Sequence, residues 1–211
     1  MLRVAIVDDH KIVRVGFREL LNEEVDIQVC FEAATGEDAL EQLRDHPCDV
    51  LLLDLNLPGK SGVDVLRMVR QRYNSVNVLI LSGHPEESYA LAMIRNGASG
   101  YLAKDCEQEE LVRAIRMVAL GRRYVSPKTA ELLADELSGG RPAEAHESLS
   151  ERELQVFLRL AKGESVSQIA DHLHLSVKTV STYRSRLTEK LGVSSNAELA
   201  TYALRHGLVA E

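Results

Sequence analysis

Tryptophan is absent from the 211-residue chain and phenylalanine occurs only three times, so any core must be built from aliphatic side chains. Cysteine is scarce as well. Cys30, Cys48 and Cys106 form an odd set with no close pair along the sequence, which argues against a disulfide framework or a zinc site and fits a reducing cytosol. No stretch approaches the roughly 20 uninterrupted apolar residues of a membrane span. The opening MLRVAIVDDH has neither the basic region nor the apolar block of a signal peptide, so a cytoplasmic protein without a membrane partner is expected. Internal repeats and low-complexity tracts are missing too. With 45% apolar and 27% charged residues, the disordered and collagen-like classes drop out.

The excess of negative charge, −7 overall, seems at first to exclude nucleic acid, but charge has to be counted by region. From Glu147 to Glu211 eight Lys/Arg balance eight Asp/Glu, so the whole deficit lies in the preceding residues. Within that neutral tail, Val177 to Lys190 carries four cations (Lys178, Arg184, Arg186, Lys190) against the single acid Glu189. The chain therefore has an acidic first part and a locally basic segment near its end.

The first 120 or so residues alternate two periodicities. Short runs rich in Val, Ile and Leu (Val4–Val7, Ile27–Phe31, Val50–Leu55, Val76–Leu81, Tyr101–Ala103) read as strands buried on both faces. Segments with helical spacing lie between them, and five strand–helix units in succession predict a doubly wound α/β domain with a parallel sheet. Thr35 with Asp38 resembles a capping box, and Gly97 and Gly121 stand where helices should stop. The pattern then degrades: residues 122–147 read as a linker, with a short helix at Thr129–Leu137 ahead of the Gly/Pro-containing stretch Ser138–Ser148. Everything after Leu149 is helical. The expected division is residues 1–121, a linker over 122–147, and 148–211.

Three carboxylates stand at predicted strand ends, Asp8 and Asp9 after the first and Asp54 at the end of the third. In an open parallel sheet, ligands sit outside the carboxyl ends of the strands, where the strand order reverses. An order of 2-1-3-4-5 makes the first and third strands neighbours and brings the acids together. Their mutual repulsion calls for a divalent cation or a lysine, and magnesium suits an oxygen-only site. Lys104 after the fifth strand offers the positive side chain, and Ser82 ending the fourth offers a hydroxyl. His10 reads more simply as a surface or packing residue, and Cys30 and Cys48 as fillers of the core or its margin.

With Pro58-Gly59 following Asp54, this constellation resembles the receiver domain of bacterial two-component response regulators over about residues 1–120. The resemblance implies that a sensor histidine kinase phosphorylates Asp54 and that Mg2+ is held by Asp8, Asp9, Asp54 and the backbone carbonyl of Asn56. Asp8 would act largely through a metal-bound water. It further implies that Lys104 pairs with a phosphoryl oxygen, that Ser82 hydrogen-bonds the phosphate, and that Tyr101 changes rotamer. Threonine is commoner than serine at position 82 in that family; the hydroxyl is kept and a methyl is lost. Asn56 and His84 occupy positions that, in that family, tune phosphate lifetime.

In the tail, Val166–Leu173 followed by Ser176–Leu191 reads as helix, turn, helix. At 100° per residue Val180, Tyr183, Leu187 and Leu191 share an inward face. Lys178, Thr182 and Ser185 look the other way, with Ser181 and Arg186 on the shoulders and Arg184 and Lys190 at the edges of the apolar stripe. Small hydroxyls flanked by cations suit a helix in a DNA major groove, the hydroxyls at base edges and the cations at phosphates. A solvated face of a helical bundle fits that arithmetic equally well. The local motifs LSERELQVFLRLAKG, IADHL, KTVSTYRSRL and EKLGV resemble the LuxR-type helix-turn-helix domain of the NarL/FixJ family over residues 148–211. Tyr183 stands where many relatives have histidine. Ser176 is expected to cap the recognition helix, and the helix Asn196–His206 to support dimerisation. His172 and His174, at i and i+2, do not share a helix face and read as packing or solvated residues.

The two resemblances imply a receiver domain plus an all-α four-helix DNA-binding domain. The protein would be a phosphorylation-switched transcription regulator rather than an enzyme, promoting only its own phosphoryl transfer and dephosphorylation. Its partners would be a sensor histidine kinase and double-stranded promoter DNA, bound as a homodimer at least when phosphorylated. Lys178, Thr179, Ser181, Thr182, Arg184, Ser185, Arg186 and Lys190 are the expected DNA contacts. Two alternatives use the same residues differently. One is an aspartyl-phosphate hydrolase, which Leu55-Asn56 disfavours because the second aspartate of those enzymes is missing. The other is an adaptor that never touches DNA.

Overall fold

The computed structural model describes all residues except 84–85, 138–144, 150, 174, 207 and 210–211; His84, His174 and most of the expected linker core lie outside the described residues. The chain divides into two compact units, Met1–Ser138 and Gly139–Glu211.

The first unit carries five strands: β1 (Leu2–Val7), β2 (Ile27–Ala33), β3 (Val50–Asp54), β4 (Asn77–Ser82) and β5 (Gly100–Ala103). They pair in parallel in the order β2-β1-β3-β4-β5, so β1 and β3 adjoin as the reversal of strand order requires. The central strands read as unbroken apolar runs because they are covered on both faces: Val50 through Leu53 and Val78 through Leu81 are all buried. Each fully buried Leu or Ile contributes about 1.5–3 kcal/mol relative to exposure. The intervening helices are α1 (Lys11–Asn22), α2 (Gly36–Asp45), α3 (Gly62–Arg72), α4 (Glu86–Arg95) and α5 (Gln108–Ala119). Phe17 and Leu21 of α1 join Leu111, Ile115 and Val118 of α5 in the core under one face of the sheet.

Local signals fix the helix ends. Thr35 caps α2 by accepting from the Asp38 N–H at 3.2 Å, and Ser61 with Asp64 forms a full capping box on α3. Gly97 follows α4 with φ +97°, a conformation that disfavours any side chain. Beyond α5 the chain stays with this unit. The Tyr124 N–H donates to the Ser99 carbonyl at 2.9 Å, and the Tyr124 hydroxyl donates to Glu110 at 2.6 Å. A further helix, α6 (Pro127–Leu137), packs against α4.

Among the described residues the second unit holds a 3-10 turn (Ala145–Ser148) and four helices: α7 (Glu151–Ala161), α8 (Val166–His172), α9 (Val177–Leu191) and α10 (Asn196–Arg205). Its buried apolar side chains among the described residues are aliphatic apart from Phe157, and include Val156, Ile169, Val180, Leu187, Leu199 and Ala203. Tyr202 stacks on His206, ring centroids 4.2 Å apart, and its hydroxyl lies 3.2 Å from Nδ1 of His146. Among the described residues no helix is long and apolar enough to cross a membrane.

Candidate functional site

The carboxyl ends of β1, β3, β4 and β5 converge. Asp54 ends β3 and is 1% exposed; Asp8 follows β1 at 2%. Lys104, the residue after β5, places Nζ 2.6 Å from Asp8 Oδ2 and 2.8 Å from Asp54 Oδ2, bridging two elements that are neighbours only through topology. Its N–H donates to the Ser82 carbonyl at 2.9 Å, which locks the ends of β4 and β5 together and sets the lysine stem. Ser82 and Tyr101 are both buried beside this end of the sheet. Asn56 lies two residues past β3, its backbone N–H directed at the Asp54 carboxylate.

The electrostatics follow from burial and crowding. Desolvation pushes the Asp54 carboxyl above its ordinary range, an effect opposed by the charge of Lys104 and reinforced by that of Asp8. Burial alone would lower Lys104, but Asp54 and Asp8 outweigh it and hold its pKa above the ordinary value. Ligand atoms of Asp8, Asp9, His10 and Asp54 lie within 4.8 Å of one another, a group able to hold a metal ion. Three carboxylates facing one lysine leave an unbalanced negative charge. Asp54 Oδ1 is buried without a hydrogen bond of good geometry among the described residues. A hard cation with oxygen ligands fits this set.

The structure gives His10 a place that the sequence reading did not. It is the N-cap residue of α1; its N–H donates to Asp8 Oδ1 at 2.8 Å, and its ring Nδ1 lies 2.6 Å from Asp9 Oδ1. The adjacency of His10 to the acid pair was the available signal, since a residue starting a helix after a strand must sit on the strand's carboxyl end. Gly62 was missed as well. A Cβ there would collide with the Asp54 carbonyl oxygen and lie 2.7 Å from the Leu55 Cα, so α3 can begin hard against the end of β3 only with glycine.

In the second unit α8 and α9 form a helix-turn-helix. Ser165 and Gln168 make a capping box on α8, and Ser176 caps α9 by accepting from the Thr179 N–H at 3.0 Å. Gly192, with φ +66°, ends α9. Val180, Leu187 and Leu191 are buried as the periodicity predicts, while Tyr183 and Arg184 are only half-buried. Lys178, Ser181, Thr182, Ser185 and Arg186 are exposed on the outer side, and Thr179 is half-buried near the start. The Thr182 hydroxyl donates to the Lys178 carbonyl at 3.0 Å and the Ser185 hydroxyl to the Ser181 carbonyl at 3.1 Å, which leaves their oxygen lone pairs as acceptors. Lys190 differs from the other cations. Its Nζ donates to Oε2 of the buried Glu153 on α7 at 2.6 Å.

Comparison with known proteins agrees with both halves. Residues 4–116 match the response regulator receiver domain, and residues 147–203 match the bacterial regulatory proteins of the luxR family. The chain is 40% identical over 212 residues to the response regulator GacA of Pseudomonas aeruginosa, covering 99% of this chain and 98% of that one. It is 38% identical over 209 residues to the response regulator UvrY of Escherichia coli K12, covering 99% and 96%. RcsB of Salmonella enterica serovar Typhimurium, solved bound to promoter P1flhDC in the presence of the phosphomimetic BeF3−, is similar in structure. The TM-score is 0.68 at 25% identity, over 95% of this chain and 97% of RcsB.

Proposed function

Because the chain belongs to the response regulators that join a receiver domain to a LuxR-type helix-turn-helix domain, we propose that it is a cytoplasmic transcription regulator whose DNA binding is switched by a sensor histidine kinase through phosphorylation of Asp54. The observation that carries this reading is the meeting of Asp8, Asp54 and Lys104 within 2.8 Å of the lysine nitrogen.

In this reading Asp54 is the nucleophile. A carboxylate oxygen forms the new bond to phosphorus while the bond from phosphorus to the donor's imidazole nitrogen breaks and the imidazole departs. Lys104 gives up its contact with Asp54 to meet a phosphoryl oxygen, and its tether through the Ser82 carbonyl holds it at the right place. The Ser82 hydroxyl then donates to the phosphate, and Tyr101 moves within the buried end of β5 as that contact forms. Asp8, Asp9 and Asp54, with the Asn56 carbonyl, would hold Mg2+, which when bound supplies positive charge against the phosphoryl oxygens. His10 stands at the rim, paired with Asp9. The switched state binds an inverted repeat as a dimer, one α9 per half-site. Lys178, Arg184 and Arg186 would then face phosphates, and Thr179, Ser181, Thr182 and Ser185 base edges. RcsB bound to promoter DNA supports this placement by likeness of fold.

The test is phosphorylation of the full chain by a small-molecule phosphodonor with Mg2+, read by intact mass, followed by a mobility shift on promoter fragments. The wild type should gain one phosphoryl group and bind more tightly. Label remaining on the Asp54→Asn variant would show that another residue is the acceptor.

A further inference from the structure

The residue after the acid pair brings a nitrogen into a set of oxygens. His10 is the N-cap of α1, with extended backbone, and its ring turns back to the acids instead of capping the helix. Nδ1 lies 2.6 Å from Asp9 Oδ1 and 3.3 Å from Asp8 Oδ1. The backbone fixes this turn, because the His10 N–H donates to the same Asp8 Oδ1 at 2.8 Å. The side chain is 66% exposed, so the ring can swivel without disturbing the core.

Lys104 takes up Oδ2 of Asp8 and of Asp54, which leaves Oδ1 of each outside the ion pairs. Asp54 Oδ1 belongs to a side chain 1% exposed and has no hydrogen bond of good geometry among the described residues. One ligand atom each from Asp8, Asp9, His10 and Asp54 lies within 4.8 Å of the other three. Adjacent ligands of an octahedral cation with bonds of about 2.1 Å stand about 3.0 Å apart. The two distances from Nδ1 straddle that value. The donor set is three carboxylates and an imidazole. Magnesium is a hard ion that gains little from imidazole, whereas imidazole suits first-row transition ions. Manganese, the weakest binder of that series, sets the floor for such a preference.

We propose that His10 Nδ1 is a fourth side-chain ligand of the cation held by Asp8, Asp9 and Asp54, and that it makes the receiver favour a divalent transition-metal ion over magnesium. This rests on the reading of those three acids as a cation site. In the ligating state the ring is neutral with its proton on Nε2, and Nδ1 exchanges its hydrogen bond to Asp9 for the ion. Labelling of Asp54 is thereby tied to the supply of that ion as well as to the kinase.

The test is titration of the full-length protein with Mn2+, the free ion read by electron paramagnetic resonance and Mg2+ added as competitor. Pulsed measurement of the bound ion should show the modulation of a coordinated nitrogen, altered when histidine carries the heavy nitrogen isotope. His10→Gln, which keeps a hydrogen-bonding group for Asp9, should lose that modulation. It should weaken Mn2+ by about tenfold or more, at least what removal of an outer-shell partner costs, and Mg2+ much less. The labelled wild type reads histidine coordination whether or not the variant folds. Mn2+ bound without nitrogen modulation, released by Asp9→Asn and indifferent to His10→Gln, would overturn the inference and leave the acid site standing. Equal weakening of Mn2+ and Mg2+ in His10→Gln, with no modulation in the wild type, would make His10 only a hydrogen-bond partner of Asp9. Modulation surviving in His10→Gln would assign the ligand to another histidine, and either result overturns the inference. A wild type that binds neither ion would overturn the acid site itself, and the inference with it.

Discussion

Lys190 on α9 reaches back to Glu153 on α7, its Nζ 2.6 Å from an Oε2 whose side chain is 4% exposed. The lysine side chain is 40% exposed, so one partner of the pair is partly wet and the other dry. Removing the lysine takes its cation away from a buried carboxylate, whereas Glu153→Gln removes the charge and keeps a hydrogen-bonding group. Lys190→Ala should therefore cost about 2 kcal/mol of stability in the helical unit, the buried-pair figure discounted for the exposed lysine, and Glu153→Gln less. Urea unfolding of the full chain, with the double variant completing a mutant cycle, checks this; the double variant should recover part of the loss.

Lys178 is the contrasting case on the same helix, exposed and two residues past the Ser176 cap. If it neutralises a phosphate, Lys178→Ala lowers the slope of log K against log salt by about 1 and weakens all sequences alike. Thr182→Ala and Ser185→Ala should instead leave the slope unchanged and relax preference at a single base pair, by about 1 kcal/mol. Lys190→Ala should change affinity in step with folding, with no change in slope at temperatures where the variant is folded. Filter binding across a salt series, with operator and scrambled duplexes, separates the three behaviours.

What the sequence disclosed follows from where each signal lives. The five strands were legible because a strand buried on both faces has no polar residue to break its run, and the observed limits fall within about two residues of the expected ones. β2 ran on by two residues, to Ala33, since Glu32 inside it is satisfied by Arg18 at 2.8 Å and no longer behaves as a breaker. Asp8, Asp9, Asp54 and Lys104 were legible because parallel topology sends every strand end to one place. The rest depended on contacts that periodicity does not encode. The bulge at Cys30 shifts the register by one step, and the reach of Lys190 to Glu153 crosses from one helix to another. His10 was visible as a residue but not as a partner of Asp9.

Gly62 offers a test of how tightly the site is built. An added methyl meets the backbone of Asp54 and Leu55, which cannot step aside without moving the end of β3. At Gly36 the nearest atom is a methyl of the Val65 side chain at 2.5 Å, with the Lys60 carbonyl oxygen at 3.1 Å, so no backbone atom comes as close as the Asp54 carbonyl does at Gly62. Gly62→Ala should cost more than about 2 kcal/mol, in the upper part of the overpacking range, and slow labelling by a phosphodonor. Gly36→Ala should cost less and leave the labelling rate near wild type. Thermal melts and single-turnover labelling of both variants decide it.

Arg3 and Asp49 pin the start of β1 to the segment entering β3. The guanidinium meets Oδ1 at 2.7 Å and Oδ2 at 3.2 Å, and the Arg3 N–H donates to Oδ2 at 2.8 Å. The Arg3 hydrogen bond holds the Asp49 carboxyl below its ordinary range despite partial burial. A carboxylate whose folded pKa is depressed adds stability that is complete above its unfolded value, about 3.9, and is lost as pH falls through the folded value. Asp49→Asn should therefore lower the Tm by a constant amount from neutral pH down to about 4. Below that the gap from wild type should close as Asp49 protonates, and added salt should narrow it at neutral pH because the pair is partly exposed. A gap that stays fixed through pH 3, or that widens there, would mean that Asp49 acts through the Arg3 N–H and packing alone, with the ion pair contributing nothing.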